Sequence, residues 1–248
     1  MDKINKVAEV SLLFWLMKIV ATTLGETLGD YIAQTLNLGY TIGLIVTLVF
    51  FLLVLAIQLY AKTYVPLFYW LVIIATTTFG TEISDFIDRT LHLGYTMGSL
   101  LLFSGLVLTL LLWYKKFKNL NVYPITDQNK EIYYWIAILF SNSLGTAFGD
   151  YLSNVVGLSY MNGAFITAGI IIIVVVLHYA TKINHIILFW ISFIFTRPFG
   201  AMFGDFLTKP ITKGGMDLGT LSASIVSLIL MTLLIILSHR NIYKKKLE

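Results

Sequence analysis

No cysteine occurs in this chain of 248 residues. Disulfides, thiolate metal sites and cysteine nucleophiles are therefore excluded. Charge is scarce as well. Only 12% of the residues are charged, where a soluble domain carries about 25%. A water-soluble fold of this composition would have too little polar surface to cover itself. Also missing are a phosphate-binding glycine-rich loop and any histidine grouped with acids at metal-ligand spacing. His92 falls in a linker, and His178, His185 and His239 lie near span ends. Nothing suggests ATP coupling or a catalytic centre, so the chain is read as a non-enzyme without a cofactor.

What is present is apolar. Hydrophobic residues make up 58% of the chain and the mean hydropathy is +0.84. The apolar runs approach the roughly 20 residues a helix needs to cross about 30 Å of hydrocarbon. Barrel strands would alternate in segments of about 10 residues. The sequence thus predicts an all-α polytopic membrane helix bundle whose first partner is the lipid bilayer. The first apolar run lacks a small-residue cleavage site and belongs to a repeat, so it is expected as a retained span. The net charge of +4 sits mostly at span ends. It reads as a topology signal, not as a nucleic-acid surface.

The runs repeat. "TTLGETLGDYIAQTLNLGYTIG" (22–43) matches "TTFGTEISDFIDRTLHLGYTMG" (77–98) at 12 of 22 positions, at an offset of 55. "NSLGTAFGDYLSNVVGLSYMNG" (142–163) follows the first copy by 120 residues, and "RPFGAMFGDF" (197–206) lies 55 further on. Trp15, Trp70, Trp135 and Trp190 hold one repeat position. Each unit reads as a span A with the tryptophan and the acidic motif, then a span B opening near Tyr-x-x-Gly. The A spans are expected at 9–34, 66–88, 132–154 and 186–207, and the B spans at 41–61, 96–114, 161–180 and 218–238. Eight spans thus form four parallel two-helix repeats in two similar halves, 1–120 and 121–248. Unit four departs from the pattern, with "KPITKGGMDLG" in place of the shorter linker.

Basic residues set the orientation. Lys3, Lys6, Lys62, Lys115, Lys116, Lys118, Lys130, Lys182, Arg240, Lys244, Lys245 and Lys246 lie at the termini and B-to-A loops. Only Arg89, Lys209 and Lys213 lie in the A-to-B loops. The asymmetry predicts both termini in the cytoplasm. Four tandem units of two spans and one tryptophan each resemble a bacterial membrane-protein family defined by that repeat, with no established function. The resemblance covers nearly the whole chain. It implies this fold and a multi-pass place in the bacterial inner membrane, and it supplies no site residues.

Candidate site residues come from helical spacing. Residues four apart share a helix face. The A spans carry polar ladders: Thr22/Glu26/Asp30, Thr77/Thr81/Asp85, Asn142/Thr146/Asp150 and Arg197/Ala201/Asp205. Glu82 is expected to join the second. Beside each ladder runs a small-residue pair: Gly25/Gly29, Gly80/Ser84, Gly145/Gly149 and Gly200/Gly204. These let helix backbones approach closely. The simplest geometry turns the four A faces inward and the B helices toward lipid. Six acids then face Lys18 and Arg197, for a net −4 if all are ionised. An acid mid-span costs roughly 2.5–3.5 kcal/mol on insertion scales, so the acids are expected to bind a cation, carry protons or sit in water.

Those ladders make the leading expectation a secondary transporter or exporter of a small cation, divalent metals included, or a proton-coupled carrier. Glu26, Asp30, Asp85, Asp150 and Asp205 are the candidate metal ligands, since hard cations favour oxygen donors. A cavity is expected to open on the extracytoplasmic side, with its floor near the first rung. A channel or small-solute facilitator, or a non-transporting scaffold or regulator, is the alternative. Assembly into a homo-oligomer is left open. The four tryptophans are expected as interface anchors. Lys18 is expected to snorkel to the cytoplasmic surface, and Arg197 to pair with Asp205 or an acid of another A helix.

Overall fold

A computed structural model describes residues 5–245, with side chains through Arg240. Of the basic residues that set the orientation, Lys3, Lys244, Lys245 and Lys246 lie outside those with described side chains. The described residues form eight long helices and no strand. They are α1 (Leu12–Asp30), α2 (Gly39–Tyr60), α3 (Pro66–Asp85), α4 (Gly94–Phe117), α5 (Gln128–Asn154), α6 (Tyr160–Ala180), α7 (His185–Thr208) and α8 (Thr220–Lys245). Each repeat is one pair of them. Seven are long and apolar enough to cross a membrane. The eighth, α5, has 27 residues, but Lys130, Glu131, Asn142 and Asp150 lower its hydropathy. It holds the same repeat position as α1, α3 and α7 and packs among them.

Local sequence fixes the helix ends. Ser11, Asp127, Ser159 and Asn184 cap α1, α5, α6 and α7 through their side chains, satisfying amides the first turn leaves free. Pro66 opens α3, where its missing N–H costs nothing. Past Asp30 and Asp85, α1 and α3 finish in π-helical turns, Tyr31–Thr35 and Phe86–Thr90. The bend into the B helix uses two left-handed residues around a leucine: Asn37 and Gly39, His92 and Gly94, Asp217 and Gly219. Glycine takes such a φ without steric cost. Unit four thus keeps the turn, as Asp217-Leu218-Gly219, despite losing Tyr-x-x-Gly.

The A helices close into a ring, α1 on α3, α3 on α5, α5 on α7 and α7 on α1. Each B helix packs on the A helix of the next repeat: α2 on α3, α4 on α5, α6 on α7, and α8 back on α1. The two halves therefore interlock. Burial follows the same division, with 61–78% of the apolar window of α1, α3 and α7 inside, against 22–28% for the B helices.

Glycines set the spacing of the ring. A Cβ on Gly25 would overlap Thr77, one on Gly80 would meet the backbone of Ser143, one on Gly145 would overlap Arg197, and one on Gly200 would overlap Thr22. Three of the notches therefore seat the first ladder rung of the neighbouring helix, and the fourth, at Gly80, seats the backbone beside Asn142. Thr77 and Thr22 then donate to the carbonyls of Ala21 (3.1 Å) and Thr196 (3.2 Å) on the neighbouring helix. The notches lie at Gly25, Gly80, Gly145 and Gly200.

The second small residue of each pair repeats the arrangement one turn on, with more room. A Cβ on Gly29 would stand 3.1 Å from Thr81, one on Gly149 3.3 Å from Ala201, and one on Gly204 3.1 Å from the Cβ of Glu26. Gly204 is thus more than a packing residue, because it seats the stem of a ladder acid on α1. Ser84 is buried at the fourth such place. Its hydroxyl faces Asp88 Oδ2, 3.5 Å away in the π turn of its own repeat.

At one end of the ring the tryptophans depart from expectation. Trp70 and Trp135 are 1% exposed, Trp190 is buried and Trp15 is half-buried. They form an aromatic plug inside the bundle with Phe14, Tyr69, Tyr134 and Phe189. Interface anchoring is thus corrected for Trp70, Trp135 and Trp190. Each tryptophan lies seven residues before a ladder, two turns down the same face, and that face points inward. Residues 5–8 strap this end. Lys6 N–H donates to Ile125 (3.0 Å) and Tyr64 N–H to Asn5 (2.8 Å). Lys6 also pairs with the buried Glu131, which accepts from Gln58 Nε2 at 2.9 Å.

Candidate functional site

Along the ring axis, polar layers succeed one another about once per helical turn. The first is built on Lys18, one turn before Thr22. Its side chain is fully buried. Nζ donates to Asn142 Oδ1 (2.7 Å) and lies 4.0 Å from the centre of the Phe193 ring. Asn142 Nδ2 in turn donates to Thr76 Oγ1 (3.0 Å). This layer joins all four A helices. It also corrects the snorkelling expectation, since Lys18 shares the ladder face of α1 and finds its acceptor inside.

The second layer is centred on Arg197, also fully buried. Its Nη2 lies 2.8 Å from Glu26 Oε2, 2.6 Å from Thr81 Oγ1 and 2.6 Å from Thr146 Oγ1. Its Nη1 donates to the Thr22 carbonyl (3.3 Å). The first-rung residue of α7 therefore reaches up to the second rung of the three other A helices. Its planar fork can serve several acceptors at once. The acid it pairs with is Glu26. The fourth second-rung residue, Ala201, packs its methyl group toward Gly149.

The third layer holds the four aspartates in two pairs, each sharing one cation. Lys209 Nζ lies 2.5 Å from Asp30 and 3.2 Å from Asp205. Arg89 lies 3.3 Å from Asp85 and 3.0 Å from Asp150, and its Nη1 donates to Tyr40 Oη (2.6 Å). The aspartates thus bridge α1 to α7 and α3 to α5. Burial alone would lower the Lys209 pKa, but Asp205 and Asp30 outweigh it and hold the ammonium above the ordinary lysine value. One carboxylate oxygen each from Glu26, Asp30 and Asp205 can be chosen within 4.8 Å of one another. Together these acids offer more carboxylate oxygens than one ammonium has protons to give.

The structure brings together Glu26, Asp30, Thr81, Asp85, Asn142, Thr146, Asp150, Arg197 and Asp205 around the axis. Thr77 lies in the α1–α3 seam, seated on Gly25, and Thr22 in the α7–α1 seam, seated on Gly200, with only its carbonyl reaching Arg197. Glu82 does not join its ladder. It turns into the seam between α1 and α2, against Gly29 and Gly43. Nor is there a wide hollow among the described residues. The ladder residues are at most 7% exposed, because Arg197 and the interlocked notches fill the space. Two cavities lie elsewhere. One of 440 Å³ sits between α4, α5 and α7, walled by Phe103, Phe148 and Phe195. The other, of 520 Å³, lies beside the N-terminal strap at Phe14, Tyr64 and Trp70.

Arg89 and Lys209 are the site residues that ladder spacing misses, because both fall in the A-to-B loops by span counting. A signal for them exists. Each stands four residues after a ladder aspartate, in units two and four, where units one and three have Gln34 and Asn154. One cation per half thus serves two aspartates. Asp88, buried against Gly98 in the π turn, is a further acid outside the ladders. With these included, seven acids face four bases: Glu26, Asp30, Glu82, Asp85, Asp88, Asp150 and Asp205 against Lys18, Arg89, Arg197 and Lys209.

A ring of four inward polar helices, each covered by the second helix of the preceding repeat, defines a four-repeat membrane bundle with a charged axis. The chain belongs to the family described as "Repeat of Unknown Function (DUF347)", whose repeat matches residues 13–64, 68–118, 133–184 and 188–241. No curated protein and no solved structure matches it.

Proposed function

We propose that the protein is a membrane carrier for a small cation, a metal ion or a proton, working at the aspartate end of the ring axis. One observation carries this reading. The Lys209 ammonium lies between Asp30 and Asp205, beside Glu26, where a free cation would be held. Lysine is a compact charge on a flexible four-carbon stem. It can act as a tethered stand-in that an incoming cation displaces and that returns when the cation leaves. Arg89 would do the same between Asp85 and Asp150. The acid excess favours positive cargo over negative. The basic residues at the termini and B-to-A loops support cytoplasmic termini, and the repeat supports a bacterial inner membrane.

The test is flux in proteoliposomes, read for protons and for a panel of divalent metals. Asp30→Asn, Asp205→Asn and Lys209→Gln are combined, so that no charge is left unpaired. Cation flux is expected to fall at least about tenfold, a barrier change of about 1.4 kcal/mol, with the bundle still folded. Unchanged flux for every cation in a folded variant contradicts the reading.

A scaffold without transport is the second reading. It is favoured by the complete pairing of the ladder acids and by threonine bonds to neighbouring carbonyls, which are what helix association alone requires. That reading expects no flux from the wild type. A facilitator with an open pore is less well supported, because the axis is filled.

A further inference from the structure

Glu82 stands apart from the other buried acids. Its side chain is fully buried, and neither carboxylate oxygen has a hydrogen-bond partner among the described residues. A Cβ on Gly43 would stand 2.6 Å from its Oε2 and one on Gly29 3.5 Å from its Oε1, so the carboxyl lies against two glycine notches, one on α2 and one on α1. The repeat shows what kind of place this is. At the equivalent position of the second half, 120 residues on, the chain has Met202, which packs against Gly163 as Glu82 packs against Gly43. One half fills the notch with a thioether, the other with a carboxyl. The seam is apolar in design.

The surrounding charges do not balance an ionised Glu82. On α1 the groups acting on it are Asp30 and Glu26, both acids. Helix α2 carries no charged residue, and its Tyr40 is bonded to Arg89. Arg89 is the base that acts on it, and that guanidinium is taken up by Asp85 and Asp150. From α8 the buried polar groups among the described residues are the uncharged Ser224, Ser227 and Ser238. A carboxylate without a donor in such a seam costs several kcal/mol more than a neutral acid, on the order of the penalties for buried unpaired charge. A carboxylic acid comes far closer than a carboxylate to the polarity of the methionine that takes its place in the other half.

We propose that Glu82 is a proton-binding carboxyl, neutral at neutral pH, whose only ligand is the proton it carries. It lies about one helical turn before Asp85 on α3. The inference stands on the seam geometry and does not require the carrier reading.

The experiment is infrared difference spectroscopy on the purified full-length chain in detergent at neutral pH, wild type minus Glu82→Gln. The expected result is the loss of one protonated carboxyl C=O band that shifts in D2O. Glu82→Met, which copies the residue of the second half, should keep the fold and give the same loss. A difference spectrum that instead loses the stretching bands of an ionised carboxylate overturns the proposal. Because neither variant is read by flux, failure here is separate from failure of the carrier reading.

Discussion

Arg197→Ala is expected to destabilise the bundle by about 3–5 kcal/mol, the range for removing one partner of a buried ion pair. In most preparations the variant should be recovered aggregated or not at all. The reason is geometric. Among the described residues, the guanidinium is the one group that touches the second rung of α1, α3 and α5 together. Its loss leaves Glu26 as an uncompensated charge and leaves Thr81 and Thr146 facing a gap. A double variant, Arg197→Met with Glu26→Gln, removes both charges and keeps most of the volume. It should regain the greater part of the lost stability. Thermal unfolding in detergent reads both. An Arg197→Ala protein melting with the wild type would mean that the central fork contributes nothing to assembly.

The second large effect belongs to the notches. Gly25→Val should force α1 and α3 apart, because the new Cβ meets not only the Thr77 side chain but its backbone carbonyl carbon at 2.9 Å. A backbone in a helix cannot step aside as a side-chain tip can. Overpacking of this kind costs about 1–3 kcal/mol in a core that can shift, and a closed ring can shift least, since opening one seam loads the other three. Gly169→Ala supplies the contrast. Gly169 lies in α6 with nothing within 4 Å of its added methyl. It should be neutral or gain up to about 1 kcal/mol from helix propensity. Equal melting temperatures for the two variants would remove the notch explanation.

Why some of this was legible beforehand and some not follows from distance along the chain. Eight helices, their pairing into repeats and the inward ladders follow from periodicity, which is local. The glycine notches follow too, because small residues at i and i+4 have one main use in a membrane. Ser84, the one serine of the pattern, is buried like the glycines and adds a hydroxyl that faces Asp88. What a side chain meets across the axis is set by length and reach. Lys18 looks like a residue that escapes to the surface until Asn142, on α5, supplies an acceptor. The tryptophans look like anchors until one asks which face carries them, and the seven-residue spacing already answers that. Arg89 and Lys209 look like loop charges because the expected A spans end at 88 and 207, just short of them, whereas the helix of unit two runs on through a π turn to Thr90 and that of unit four through Thr208. The filled axis was the least legible feature. Nothing in the spacing reveals that Arg197 alone occupies the centre left by three shorter rungs.

Closure of the ring by the last repeat on the first is the claim on which the rest depends, and the absence of cysteine makes it directly testable. Thr35 ends the π turn after α1 and Thr220 begins α8, and their hydroxyl oxygens lie 2.7 Å apart. Thr35→Cys with Thr220→Cys should therefore form an intramolecular disulfide nearly completely on mild oxidation, as side chains at that separation can reach bonding geometry with small rotations. Thr35→Cys with Ser153→Cys places the second thiol on α5, across the ring, and should not. If the 35–220 pair cross-links no faster than the 35–153 pair, the repeats do not close and the charged axis has no enclosing wall.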